Sequence, residues 1–148
     1  MYGISKREYQ DNLERLPYFN KNTAGILLEK KEINLDRKIE RLTKAGYFLR
    51  LKNGLYTTKP YLLTVTDKEK YSEFLVSVIC FPAYLSLEYM LAREGLLPEA
   101  IQVYTGITTK STREFENFLG RFSYKNITDK LFCGFTDGKA SKAKALFD

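Results

Sequence analysis

Apolar residues recur at helical spacing three times before Gly46. Tyr9, Leu13 and Leu16 fall at i, i+4 and i+7, one face of a helix. Ser5 and Glu8 stand ahead of that face as an S-x-x-E pair, with Ile4 and Tyr9 beside them, the pattern of a capping box with a hydrophobic staple. Pro17 ends this helix, because its ring removes a donor and clashes with the preceding turn. A shorter helix is expected around Thr23 to Lys30, with Ile26, Leu27 and the stem of Lys30 turned inward. Lys31 to Asn34 then reads as a turn that buries Ile33. Asn34 is a good N-cap, and Asp36 follows in the first turn, where the helix dipole favours negative charge. The third helix is the most regular. Leu35, Ile39 and Leu42 share a face, and Gly46 supplies the stop.

From Tyr47 the period becomes two. Tyr47, Leu49 and Leu51 alternate with Phe48, Arg50 and Lys52, then Asn53-Gly54 turns the chain and Leu55 to Thr58 returns. Residues 47–58 are expected to form a two-stranded hairpin with a type I′ turn, for which Asn-Gly is the strongest short signal. Tyr47, Leu49 and Leu51 should pack the hairpin on the helices, with Phe48 and Tyr56 as core aromatics. Three helices and a hairpin predict a winged helix-turn-helix over residues 1–60, with the junction at Pro60.

Residues 61–148 predict a second unit. Thr66-Asp67-Lys68-Glu69 is another capping-box pattern, with Tyr71, Phe74, Leu75 and Val78 at helical spacing and Pro82 closing the helix. Ser86 caps a helix with Leu87, Met90 and Leu91 inward and Gly95 at its end. Period two returns in "IQVYT", "REFENF", "GRFSYKNI" and "LFCGF", and a last helix starts in "SKAKALFD". Two of these strands should meet near Gly120. The expected fold class is therefore α+β: an N-terminal winged helix-turn-helix followed by a small α+β domain with an antiparallel sheet. Phe115, Phe118, Phe122, Tyr124, Phe132 and Phe135 read as core packing.

Charge sharpens this division. The net charge is +6, and residues 1–60 carry all of it, with 13 Lys and Arg against 7 Asp and Glu, whereas residues 61–148 hold 11 of each. A basic segment joined to a neutral one points to a polyanion as partner of the first. A hydrophobic content of 44% is enough for a core. No apolar run nears the roughly 18 residues of a membrane span, and "MYGISKREYQ" has no apolar stretch of a signal peptide. The expected location is cytoplasmic, with no membrane partner.

Candidate chemistry is narrow. The chain has no histidine and two cysteines, Cys80 and Cys133. That excludes zinc sites built on His or on four Cys, and Ser-His or Cys-His nucleophile pairs. Both thiols are expected to be buried and reduced. Glu114 and Glu116 share a strand face, and Asp137-Gly138-Lys139 faintly resembles a nuclease carboxylate–lysine spacing. The simpler reading is a solvated strand and a turn, so no enzyme activity, cofactor, metal or catalytic residue is expected. The third helix is more specific. Arg37, Arg41 and Lys44 fall at i, i+4 and i+7, with Lys38 beside them, away from Leu35, Ile39 and Leu42. An apolar stripe holding the helix and a cationic stripe facing outward is the arrangement of a recognition helix in a major groove. Arginine can bond guanine bidentately, and lysine meets phosphate. A carboxylate there, Asp36 or Glu40, could accept from a cytosine amine or orient an arginine. Arg50, Lys52 and Asn53 are the hairpin's candidates for phosphate or minor-groove contact.

Longer segments carry a family resemblance. "RKIERLTKAGYFLRLKNGLYTT", "PAYLSLEYMLAREGLLPEAIQVYTGITTKSTREFENFLGRFSYKNI", "LFCGF" and "AKALFD" resemble the AbiEi-type antitoxins of abortive-infection toxin–antitoxin systems. "YLSLEYML…GLLPE" followed by "TTKSTREFENFLGRFSYKNI" is the specific part. The resemblance implies an N-terminal winged helix-turn-helix that binds inverted repeats in the promoter of its own operon. It implies an antitoxin function for the rest of the chain, opposing a nucleotidyltransferase-like toxin in a type IV arrangement, in which no tight complex forms. The family's DNA-reading positions map onto Arg37, Lys38, Arg41, Lys44, Arg50, Lys52 and Asn53. The family's last helix continues past the equivalent of Asp148, so residues 61–148 read as a shortened antitoxin domain, with Leu146 and Phe147 available for dimerisation. A homodimer on the inverted repeat would match half-site symmetry. The alternative is a protein-interaction module that binds a toxin or other partner directly, without sequence-specific DNA binding.

Overall fold

A computed structural model describes residues 11–97 and 103–148. The expected capping box at Ser5 and Glu8, and Ile101 and Gln102 of the expected "IQVYT" strand, lie outside the described residues. The chain is mixed α+β and divides into two compact units, Met1–Thr66 and Asp67–Asp148.

In the first unit, a helical segment α1 at residues 11–14 is followed by β1 (Phe19–Asn20), α2 (Lys21–Leu28), α3 (Glu32–Lys44), β2 (Phe48–Lys52), β3 (Leu55–Thr58) and α4 (Lys59–Thr64). The strands form an antiparallel sheet in the order β1-β3-β2. Leu13, Phe19, Ala24, Leu35, Ile39 and Phe48 form its core, with Leu27, Leu42, Tyr47 and Tyr56 packed against it. Phe48 contacts Phe19 edge-on at 5.0 Å between ring centroids, a favourable aromatic geometry. The Tyr47 hydroxyl donates to Glu14 at 2.7 Å, tying α1 to the entry of β2. Burial and the neighbouring Glu14 both push the Tyr47 phenol well above its ordinary range.

α3 keeps its expected inward face and moves its start. Leu35 and Ile39 are buried and Leu42 packs beside them. Yet the helix begins at Glu32 behind Lys31, which makes no side-chain cap, so Asn34 lies inside the helix rather than capping it. Ile33 is consequently 65% exposed instead of buried. Asp36, no longer in the first turn, pairs with Lys21 at the start of α2. α2 also begins early, because Asn20 accepts from the Thr23 amide at 2.9 Å. This turns Ala24 inward and leaves Ile26 75% exposed. α3 ends as expected. Gly46 has φ +81°, its amide donates to Thr43, and the Tyr47 amide donates to Leu42, a Schellman closure. A Cβ at Gly46 would meet nothing within 4 Å, so Gly46→Ala should cost only the backbone term, about 1–2 kcal/mol. Urea unfolding of the variant checks this.

The hairpin is present with a different turn. Gly54 has φ +81°, but Asn53 is not left-handed, and type I′ needs positive φ at both central residues. A register irregularity lies between Arg50 and Lys52. It rephases the strand: Phe48 and Leu51, three apart, are both fully buried, and Leu49 is only half-buried. Phe48, rather than Leu49, therefore packs the hairpin on the helices.

The second unit runs α5 (Lys68–Ile79), β4 (Ala83–Leu85), α6 (Leu87–Arg93), β5 (Val103–Thr108), β6 (Arg113–Asn117), β7 (Gly120–Asn126), a 3-10 turn (Asp129–Leu131), β8 (Phe135–Thr136), β9 (Lys139–Ala140) and α7 (Lys142–Phe147). The six strands lie in the order β6-β7-β5-β4-β9-β8. The sheet is mixed, not antiparallel: β5 pairs with β7, and β4 with β9, in parallel. The β6–β7 pair meets at Gly120 as expected. Asp67, not Thr66, caps α5. Phe122 and Tyr124 are fully buried, whereas Phe74, Phe118 and Phe135 are exposed. "LFCGF" forms the end of the 3-10 turn, a loop and only the start of β8, and Cys133 is exposed while Cys80 is buried. Among the described residues no helix is long and apolar enough to cross a membrane.

Candidate nucleic-acid interface

α3 is held by its buried stripe and presents its far side to solvent. Arg37, Arg41 and Lys44 are exposed there, and Lys38 is half-buried on the flank. The two acids of the helix middle are each matched by a lysine. Asp36 pairs with Lys21, and Glu40 with Lys44 at 3.0 Å in an exposed i,i+4 pair. Exposed pairs of this kind are worth little, so Lys44 is easily recruited by a stronger anion. The Arg37 and Arg41 side chains make no hydrogen bond or ion pair among the described residues. With Glu40 and Lys44 they line one shallow depression. Two exposed arginines one turn apart thus stand on the outward side of the helix.

The hairpin brings a further cation to the same side. Arg50 is cross-strand from Tyr56, so both project from one face of the sheet. Arg50, Tyr56, Ile39, Glu40, Thr43 and Lys44 share a groove of about 310 Å³ between α3 and the hairpin. Arg50 also reaches Asn53 at 3.4 Å, which steadies the turn. Lys52 and Asn53 stand at the tip, the first half-buried and the second exposed. The structure therefore joins Lys44 to Arg50 and keeps Arg37 and Arg41 one face further round, with Lys52 and Asn53 at the end of the hairpin.

No family model matches the chain, and neither does any curated protein or solved structure compared with it.

Sequence reasoning missed Asn34 as a member of this face. It is exposed, three residues before Arg37 and seven before Arg41. Its capping preference concealed it.

The faint catalytic pattern is dispersed. Glu114 and Glu116 lie on β6 at one edge of the six-stranded sheet, and Asp137 lies between β8 and β9 at the other. At about 4.8 Å per strand that is roughly 20 Å or more, too far to share a substrate atom. Glu114 pairs with Arg121 at 3.5 Å. Among the described residues no group of three or more Cys, Asp or Glu could hold a metal ion.

Glu73 is one of the second unit's buried charges. On α5 it pairs with Arg93 of α6, with Lys139 of β9 at 2.9 Å, and accepts from the Tyr89 hydroxyl at 2.8 Å. Burial pushes its carboxyl up, but the bonds from Lys139, Tyr89 and Arg93 together outweigh it, and the group is held below the ordinary carboxylate range. Glu69 also lies 2.9 Å from the Tyr89 hydroxyl and competes with Glu73 for its one proton. A second network holds α7: Asp148 accepts from Ser86 at 2.6 Å and Tyr84 at 3.0 Å, and pairs with the buried Lys144 at 2.8 Å.

Proposed function

We propose that the protein is a DNA-binding antitoxin that represses its own toxin–antitoxin operon and counters a nucleotidyltransferase-like toxin. In this reading the first unit is a winged helix-turn-helix, α3 is its recognition helix, and the β2–β3 hairpin is its wing. The observation that carries the reading is the Arg37–Arg41 pair, exposed on the side of α3 opposite its buried stripe and with no side-chain partner among the described residues. A helix serving only structure would gain from placing opposite charges four apart. Pairing of β1 with β3 adds the third strand usual beneath such a wing. The antitoxin role and the toxin rest on the family resemblance of the sequence, and cytoplasmic location follows from a DNA partner.

Arg37 and Arg41 are assigned to base edges, and Lys38, Lys44, Arg50, Lys52 and Asn53 to the backbone. Arg41→Ala should then cost about 1–3 kcal/mol of specific binding and relax one base position. Affinity measured across a set of operator variants tests this. Unchanged affinity with unchanged base preference would remove Arg41 from the recognition role.

A second reading is favoured by one observation. Leu146 and Phe147 on α7 are 63% and 67% exposed, which suits a protein-interaction module. Co-purification of the neighbouring gene's product with the wild type, lost in Leu146→Ser/Phe147→Ser, would favour that reading.

A further inference from the structure

The early start of α3 places two residues on the proposed DNA-facing side that are unexpected for a helix serving structure alone. Ile33 is 65% exposed and belongs to no core cluster of the first unit. Asn34 is exposed, has no capping role, and its side chain makes no hydrogen bond among the described residues. Asparagine is a poor helix former unless it caps, and an exposed isoleucine gains nothing from water. Both lie in the first turn of α3, ahead of Arg37 and Arg41 on the same outward side. Arg37, Arg41 and Lys44 make this side cationic, so the occupant that fits it is double-stranded DNA rather than a second copy of this basic surface.

In helix-turn-helix proteins the N-terminal residues of the recognition helix approach base edges. The major groove offers these two side chains specific partners. An asparagine amide can bond adenine N6 and N7 together, and an apolar side chain meets the thymine methyl. We propose that Ile33 and Asn34 form an A·T-reading pair, which deepens the repressor reading and rests on it. Seven residues separate Asn34 from Arg41, about 10 Å along the helix, or about three base-pair steps. The half-site should therefore place an A·T pair roughly three steps from a guanine read by Arg41.

Modified bases test this on the wild-type protein, so the result does not hinge on a variant's folding. The full chain is titrated by fluorescence anisotropy against its own upstream duplex. Each thymine is replaced in turn by deoxyuridine, which removes only the methyl, and each adenine by 7-deazaadenine, which removes N7. At one position per half-site, deoxyuridine should weaken binding about fourfold. At the same or an adjacent pair, 7-deazaadenine should weaken it about fivefold or more. Ile33→Ala should be blind to the first change and Asn34→Ala to the second, and both should still prefer upstream DNA over a scrambled duplex. If every modified duplex binds as well as its parent while that preference persists, the A·T pair is wrong and the repressor reading stands. If the wild type shows no preference for upstream DNA, the repressor reading fails and takes this proposal with it.

Discussion

Removing both Arg93 and Lys139 by alanine substitution is expected to destabilise the second unit by about 3–5 kcal/mol. Glu73 has a side chain only 4% exposed, whereas its cationic partners reach water. Losing the partners leaves the buried carboxylate with Tyr89 alone, and an uncompensated buried charge is the costly outcome. The pH dependence gives a separate signature. In the wild type the Glu73 pKa is lowered on folding. Its contribution is fully present above the ordinary glutamate value of about 4.3, and is lost as pH falls through the lower folded value. In the double variant burial dominates and the folded pKa rises above the unfolded one. The variant should then gain stability, relative to neutral pH, as pH falls through that raised value. Adding Glu73→Met should recover much of the loss, because an apolar replacement of a whole buried ionic group is often neutral or better. Urea unfolding from pH 4 to 8 checks all three. A double variant as stable as wild type, with the same pH slope, would mean that Glu73 is solvated and the network is only a surface feature.

Phe48→Ala should cost the first unit about 3–5 kcal/mol. Phe48 is 1% exposed and packs against Phe19, Tyr47 and Tyr56. A unit of this size has about 3–10 kcal/mol in total, so the variant should be largely unfolded near 37 °C and lose DNA binding with its fold. Phe48→Leu fills more of the space and should lose less. Thermal unfolding followed by circular dichroism, beside binding to the upstream duplex, makes the comparison. A Phe48→Ala protein with an unchanged transition would show that the hairpin is not anchored through this ring.

Local periodicity carried the parts that local physics controls. The buried stripe of α3 and the Gly46 stop were legible, as were Met90 on α6 and the β6–β7 turn at Gly120. Departures arose where tertiary contacts decided. Asn34 looks like a cap and Asp36 like a first-turn acid, but the helix starts at Glu32 and Asp36 is used to bind Lys21. The hairpin's phase could not be read because a β-bulge has no apolar signature in so short a strand. The parallel pairing of β5 with β7 brackets β6, a non-local choice that alternation cannot express. "LFCGF" has the composition of a strand, yet its backbone serves the buried Lys144, which donates to the Leu131 carbonyl at 2.8 Å. The outward cationic stripe of α3 was legible, since charge at helical spacing survives any shift of the helix ends. Glu73 was not, because a glutamate four residues after another on a helix reads as solvated.

The most direct test of the account is a fluorescence-anisotropy titration of the wild-type protein against its own upstream duplex and a scrambled duplex from 50 to 200 mM salt. The account predicts upstream binding at least tens-fold tighter. With two copies each using Lys38, Lys44, Arg50 and Lys52 on phosphates, it also predicts a fall in affinity of roughly 10³–10⁵ across that range. Equal, weak binding to both duplexes would contradict it, and would leave the basic face of α3 and its hairpin as a non-specific surface.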